Sequence, residues 1–329
     1  MSKYDTKRIT SIGGSALIEG IMMRGPKRTT VAVRTGEEEI YTEDLTFKSL
    51  AERFKIFKVP FIRGIGGLID SMRLSYKALM LSAEKAIDSI PEDEQEQPSK
   101  LEKWIDEKLG DKFMKILMVL ASVLGVVIAV ALFFFLPSYL FDLSANFIPV
   151  FQGDGELAIF WKSVFEGVLK IALFLIYIVV CSQMSDMKRV FMYHGAEHKT
   201  IFCYENELEL TVENVRRQRR FHPRCGTSFM ILMLLVGIII GLFIPVAPFG
   251  IGFLRPVIKI LLLPLSCGVG YELIKLCGKH DNKLTRIIAA PGLWAQRITT
   301  KEPDDKMIEV AIKAMKSVIP ENGEDLLQK

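Results

Sequence analysis

The stretch Phe113-Met-Lys-Ile-Leu-Met-Val-Leu-Ala-Ser-Val-Leu-Gly-Val-Val-Ile-Ala-Val-Ala-Leu-Phe-Phe-Phe-Leu136 decides the fold class. Its one charge is Lys115, near the start. A helix needs roughly 18 to 20 apolar residues to cross a hydrocarbon core about 30 Å thick, and this run is longer. Three further segments are long and apolar: Val164–Cys181, Phe229–Val246 and Leu254–Leu276. The second and third are the shortest, at 18 residues each, and the fourth carries Arg255, Lys259, Glu272 and Lys275. The 329 residues are 50% hydrophobic, with mean hydropathy +0.28. A soluble chain can match those averages, so the clustering carries the argument. It predicts a mainly α membrane protein with about four transmembrane helices.

Orientation follows from the loops. Residues 1–11 are polar and no apolar core with a cleavage site follows, so no secretory signal is expected. Between Pro137 and Phe160 there is no Lys or Arg. The next loop holds Lys188, Arg189, Lys199, Arg216, Arg217, Arg219, Arg220 and Arg224. Positive loops stay inside, which predicts a multi-pass plasma-membrane protein with both termini in the cytoplasm. The net charge of +4 is modest, but its placement is one-sided. The five cysteines are odd in number and fall in or on the inner side of the membrane, a reducing location that argues against a disulfide framework.

Working outward, residues 1–50 read as a small cytoplasmic β-rich unit. Thr29–Arg34 and Glu39–Thr42 flank Gly36 as two strands around a turn. The glycine-punctuated run Gly13–Pro26 before them reads as a further strand or a buried loop. Residues 51–110 read as an interfacial helix and a charged linker. The helix carries a stripe of Ile65, Leu68, Ile69, Met72, Tyr76, Leu79 and Met80. Arg63, Asp70, Arg73 and Lys77 interrupt it too often for a span, so it is expected to lie on the inner membrane face as an amphipathic interfacial helix. A first transmembrane hairpin covers 111–183, a cytoplasmic His/Cys/Arg loop 184–227, a second hairpin 228–278, and a cytoplasmic helical tail 279–329. In that tail Pro291–Ile298 is expected to dock at the interface through Trp294. Pro303, with Asp304 and Asp305, opens a final helix whose Ile308, Ala311, Ile312 and Met315 form a packing stripe.

One constellation has a chemical signature. His194-Gly195-Ala196-Glu197-His198 sets two imidazoles four residues apart, on one face of a helix. Extending the stripe gives Met184, Met187, Phe191, His194, His198 and Ile201, an apolar face on which a bare polar group needs a partner. The pattern H-x-x-E-H is that of the inverted zinc proteases, in which the two His hold metal and the Glu handles a proton. His222-Pro223-Arg224-Cys225 follows just before the third apolar segment, and Zn²⁺ accepts a His/Cys mixture. Three of the four histidines fall in these two motifs. The bland alternative is that two helix histidines bond neighbouring carbonyls or carboxylates, and Gly195 weakens the helix. Glu272 sits at a similar expected depth as a further ligand or a support for one.

The basic run Arg216, Arg217, Arg219 and Arg220, with Arg224, sits on and after a short helix with Thr211 as N-cap. It is expected to anchor against anionic headgroups, with a phosphate-bearing ligand as the sharper alternative. No nucleic-acid partner is expected, for want of aromatic interleaving or a recognised motif. Glu166 and Lys170 are read as an i,i+4 pair, and Lys259 as snorkelling to the outer surface. Ionisable groups near the span ends, rather than the midplane, argue against a transporter.

These motifs resemble the YqhQ-like family of bacterial membrane proteins, a family of unknown function labelled a predicted metal-dependent enzyme. The pieces that carry the resemblance are Gly13–Pro26, His194–Lys199, His222–Phe229, Tyr271–Leu273 and Pro291–Trp294. The resemblance implies a membrane protein with metal-dependent chemistry, and no more of its function than that.

The sequence therefore leads to a divalent-metal site, zinc by preference, at the cytoplasmic membrane interface of a metal-dependent hydrolase. Its candidate ligands are His194, His198, His222 and Cys225, with Glu197 as general base. The competing expectation is a non-catalytic scaffold in which the same residues are structural and the basic face binds lipid, a protein partner or a second copy. A transporter stands third.

Overall fold

The computed structural model describes residues 6–88, 116–117, 119–279 and 282–327. The charged linker expected over residues 90–98 lies outside them, as does the start of the first apolar run. The chain divides into two compact units. One comprises residues 1–89, 174–236 and 264–329, the other residues 90–173 and 237–263.

The first unit is built on a four-stranded antiparallel meander of β2 (Gly13–Leu17), β3 (Gly20–Arg24), β4 (Thr29–Arg34) and β5 (Ile40–Asp44). β3 and β4 are buried nearly throughout, because both faces of the sheet are covered. Alternate side chains of a strand point to opposite faces. Met22, Val31 and Val33 pack with Leu74 and Ala78 of helix α1 (Ile62–Asp88). Ile21, Met23 and Ala32 pack with helix α4 (Ser185–Glu205) and helix α9 (Asp305–Val318). Asp304 caps α9 by accepting from Met307 N at 2.8 Å. The α9 stripe read from sequence, Ile308, Ala311, Ile312 and Met315, is buried in this core. A small ribbon pairs β1 (Ile9–Thr10) with β6 (Leu326–Leu327), tying the two ends of the unit together.

One expectation changes here. The run Gly13–Pro26 forms two strands, joined through Ile18 and Glu19, with Glu19 at φ 49°. The apolar stripe read on α1, expected to face the membrane, is exposed, and a different face of the helix packs on the sheet. Ile69, Met72, Tyr76, Leu79 and Met80 are exposed, whereas Asp70, Leu74, Ala78 and Ser82 are buried. Small side chains let the helix approach the sheet closely, and the bulky stripe is left outside. Asp70 accepts from Leu50 N at 2.8 Å.

Helix α2 (Val119–Ser144) and helix α3 (Glu156–Cys181) are each long and apolar enough to cross a membrane. Helices α6 (Leu254–Leu261) and α7 (Leu263–Lys279) make a third candidate only if the interruption at Leu262 is counted as a break within one span. The expected third span is shorter than its apolar run. Helix α5 (Gly226–Gly241) ends well before Pro245, and its 16 residues rise only about 24 Å. Two or three helices, rather than four, meet the length and composition of a span among the described residues. The tail helix α8 (Lys283–Thr299) starts with Asn282 and Thr285 in a reciprocal capping arrangement, and its Trp294 is exposed.

Candidate metal centre

From Gly195 to Glu205 helix α4 is buried on every side, so its two histidines share a face of a helix that is enclosed there rather than amphipathic. Gly195 explains part of this. A Cβ at that position would stand 2.0 Å from the Lys301 carbonyl oxygen. The glycine thus lets the chain after α8 run directly over the helix, where Lys301 N also donates to Phe191 O at 2.8 Å.

That crossing orients the first imidazole. His194 Nδ1 donates to the Thr299 carbonyl at 2.8 Å, which turns Nε2 towards Cys225 Sγ at 3.2 Å. His198 Nδ1 donates to the Arg220 carbonyl at 2.5 Å, again leaving Nε2 free of a backbone partner. The two rings lie 4.4 Å apart. Ligand atoms of His194, His198 and Cys225 all fall within 4.8 Å of one another. Tetrahedral zinc at its usual bond lengths would hold such atoms roughly 3.4 to 3.6 Å apart. Carbonyls that fix the Nδ1 proton are the usual support of a metal-binding His. These three residues are of the types that could hold a divalent ion such as zinc.

The electrostatics favour a thiolate at Cys225, the form that binds metal, and a protonated His194, whose proton a bound ion would have to displace. Burial would raise the Cys225 thiol, but His194 and His198 outweigh it and hold the thiol well below its ordinary value. Cys225 also stands immediately before the N-terminus of α5 and accepts from Thr227 N at 3.4 Å, both of which favour a thiolate. Burial works against the charged form of His194, yet Cys225 and Glu197 lift it to about 9.

Glu197 is 5% exposed. Its carboxyl is raised by burial, against the lowering effect of His198, His194 and the Gly14 backbone N–H. Gly14, at the start of β2, is a residue whose role the sequence reading missed. A Cβ there would sit 3.0 Å from Glu197 Cδ. Only a bare glycine backbone lets the strand press against this carboxylate and donate to it. The signal was present in the paired glycines Gly13 and Gly14, but their partner lies far away in sequence.

The remaining candidates are placed elsewhere. His222 does not join the three ligands. Its ring is 5.6 Å from that of His198, and its Nε2 lies 3.7 Å from Glu205 Oε2. Burial, with Arg224 adding to it, pulls this imidazole down to about 4 despite Glu205, so it is neutral. Gln296 holds its backbone by accepting from His222 N and donating to His222 O, each at 2.7 Å. Glu272 is ion-paired with Arg63, and so is committed away from the histidines. Most of the arginine run is committed as well. Arg216 pairs with Asp305, Arg217 with Glu213, Arg220 with Glu302 and Arg224 with buried Glu205, while Arg219 is also engaged. A headgroup would have to compete with these carboxylates.

The model of a family described as "Protein of unknown function (DUF1385)" matches residues 59–321. A relative from Bacillus subtilis (strain 168), "Uncharacterized protein YqhQ", is 34% identical over 322 residues, covering 97% of this chain and 95% of that protein. No solved structure matches the chain.

Proposed function

The chain belongs to the DUF1385 family of proteins of unknown function, and within it we propose a membrane protein with a catalytic divalent-metal site, zinc by preference, acting as a hydrolase. The observation that carries this reading is the convergence of His194, His198 and Cys225 with both Nδ1 protons tied to carbonyls. Bound there, a divalent ion supplies a Lewis acid and a water molecule of lowered pKa. In this reading Glu197, three residues after His194, would take the proton of an attacking water and return it to the leaving group. Gly14 N–H orients its carboxyl, and burial keeps its proton affinity high. His222 and Glu205 hold the loop that brings Cys225 to the helix.

Metal analysis of the detergent-purified chain tests this. Wild type is expected to carry about one zinc-type ion per chain, and His194→Ala to lose it. Equal content in both would remove the site.

We further propose four crossings, counting the short α5 and the interrupted α6–α7 pair as spans beside α2 and α3, with both termini in the cytoplasm and the site at the inner interface. The support is the basic 182–228 loop set against the 137–160 loop without Lys or Arg. A membrane-impermeant thiol reagent applied to intact cells is expected to label Asp154→Cys and to spare Glu213→Cys. Both positions are exposed. Labelling at 213 from outside would reverse the orientation.

A further inference from the structure

Residues 90–173 and 237–263 hold a group of ionisable side chains that the candidate metal centre does not use. Lys162, Glu166 and Lys170 recur every four residues on α3, and so share one stripe. Lys162 and Arg255 are fully buried, Glu166 is 1% exposed and Lys259 9%. The expected Glu166–Lys170 pair is absent from this arrangement. Glu166 instead pairs with Lys259, and its Oε1 lies 3.5 Å from Arg255 Nε. Lys259 therefore does not snorkel.

Two of the four cations have structural duties. Lys162 pairs with Asp142. Arg255 donates to the carbonyls of Gly241 at 3.1 Å, Ile244, and Pro245 at 2.8 Å, and to Ser163 Oγ at 2.7 Å, closing the chain that follows α5. Lys259 shares the one central carboxylate with Arg255. Lys170 has none within ion-pair distance among the described residues, and its ammonium rests 4.8 Å from the Phe134 ring centroid. Among the described residues, four cations thus face two carboxylates. Glu166 Oε1 and Arg255 Nε are buried without a hydrogen-bond partner.

At about 1.5 Å per residue, Lys170 lies roughly 21 Å along α3 from Glu156 and roughly 16 Å from Cys181. With α3 in the bilayer, that is close to the midplane, beyond the reach of a snorkelling side chain. Ionisable groups so placed mark ligand sites. Lys170 is only half-buried, so its ammonium remains approachable.

We propose that this cluster binds a phosphate monoester, with Lys170 and Lys259 as the contacting cations. Such a group carries about two negative charges at neutral pH, which matches the excess of two cations, and its oxygens suit ammonium donors. The source is either a phosphomonoester lipid or a soluble phosphate.

The full chain, purified in detergent, is titrated with short-chain phosphatidic acid, short-chain phosphatidylglycerol and inorganic phosphate, and thermal unfolding is followed. Phosphatidic acid is expected to raise the midpoint saturably, at no more than a tenth of the concentration that phosphatidylglycerol needs. The response is expected to weaken at least tenfold in Lys170→Gln and to persist in Lys170→Arg. A matching response to inorganic phosphate assigns a soluble source, and a response confined to phosphatidic acid assigns a lipid one. Absence of saturable binding by either phosphate overturns the proposal. So does equal binding of phosphatidylglycerol, or an undiminished response in Lys170→Gln. The wild-type comparison of the two lipids decides alone if Lys170→Gln does not purify.

Discussion

Glu197→Gln is expected to keep the metal and abolish the chemistry. Glutamine preserves the volume of the side chain and leaves an amide oxygen to accept from the Gly14 N–H. His194, His198 and Cys225, the three groups whose ligand atoms converge, are untouched. What is lost is the ability to accept a proton, and a positioned general base is worth roughly 10² to 10⁴ in rate. With the substrate unidentified, the readout is twofold: metal per purified chain, and rescue of a strain lacking the gene. Metal content equal to wild type with failed rescue supports the hydrolase. Full rescue by Glu197→Gln beside failure of His194→Ala excludes catalysis by this glutamate and makes the metal structural. Rescue by both variants leaves the scaffold as the better reading.

The parts of the fold that sequence revealed are those set by local periodicity. β4 and β5 alternate around Gly36, and α9 shows its cap at Asp304 and its stripe directly. The β2–β3 hairpin was hidden for two reasons. β3 is buried on both faces and so does not alternate, and the turn at Ile18 and Glu19 places a non-glycine residue at positive φ. On α1 the apolar stripe is exposed, as a membrane-facing stripe would be, while the face that packs on the sheet through Leu74 and Ala78 was not legible from periodicity. Apolar length likewise overstated the third span, since Phe229–Val246 includes a turn beyond Gly241 that hydropathy does not register.

The candidate site divides the same way. His194 and His198 are neighbours by helical spacing, and Cys225 was within reach by composition. Whether His222 or Glu272 joins them depends on partners that spacing does not encode. Glu205 and Arg63 claim those two residues from other elements. Gly14 went unseen as part of the site for the converse reason: its contact with Glu197 crosses from the first hairpin to α4.

The role assigned to Glu205 yields the second large effect. Glu205→Ala is expected to destabilise the first unit by about 3 kcal/mol, the lower end of the range for breaking a buried ion pair. The carboxylate is 3% exposed in its side chain and pairs with Arg224. It also accepts from Thr10 N at 3.0 Å. Removing it strands the Thr10 N–H and leaves the Arg224 guanidinium the Thr10 carbonyl and a long contact to His222 Nε2 at 3.5 Å. Arg224 is 21% exposed and relaxes partly into water, which is why the upper end of the range is not reached. Arg217→Gln provides the contrast. Its pair with Glu213 is exposed at 72% and 70%, and such pairs are worth about 0.5 kcal/mol. Denaturant unfolding of the purified variants separates the two, and a loss below about 1 kcal/mol for Glu205→Ala would show that this network does not hold the loop. Metal content of the folded fraction adds a second decision. Glu205 lies outside the set of converging ligand atoms, so the metal should stay. If folded Glu205→Ala instead loses metal in step with His194→Ala, the partner it releases, His222, belongs with the ligands, and the three-ligand site must be redrawn around four.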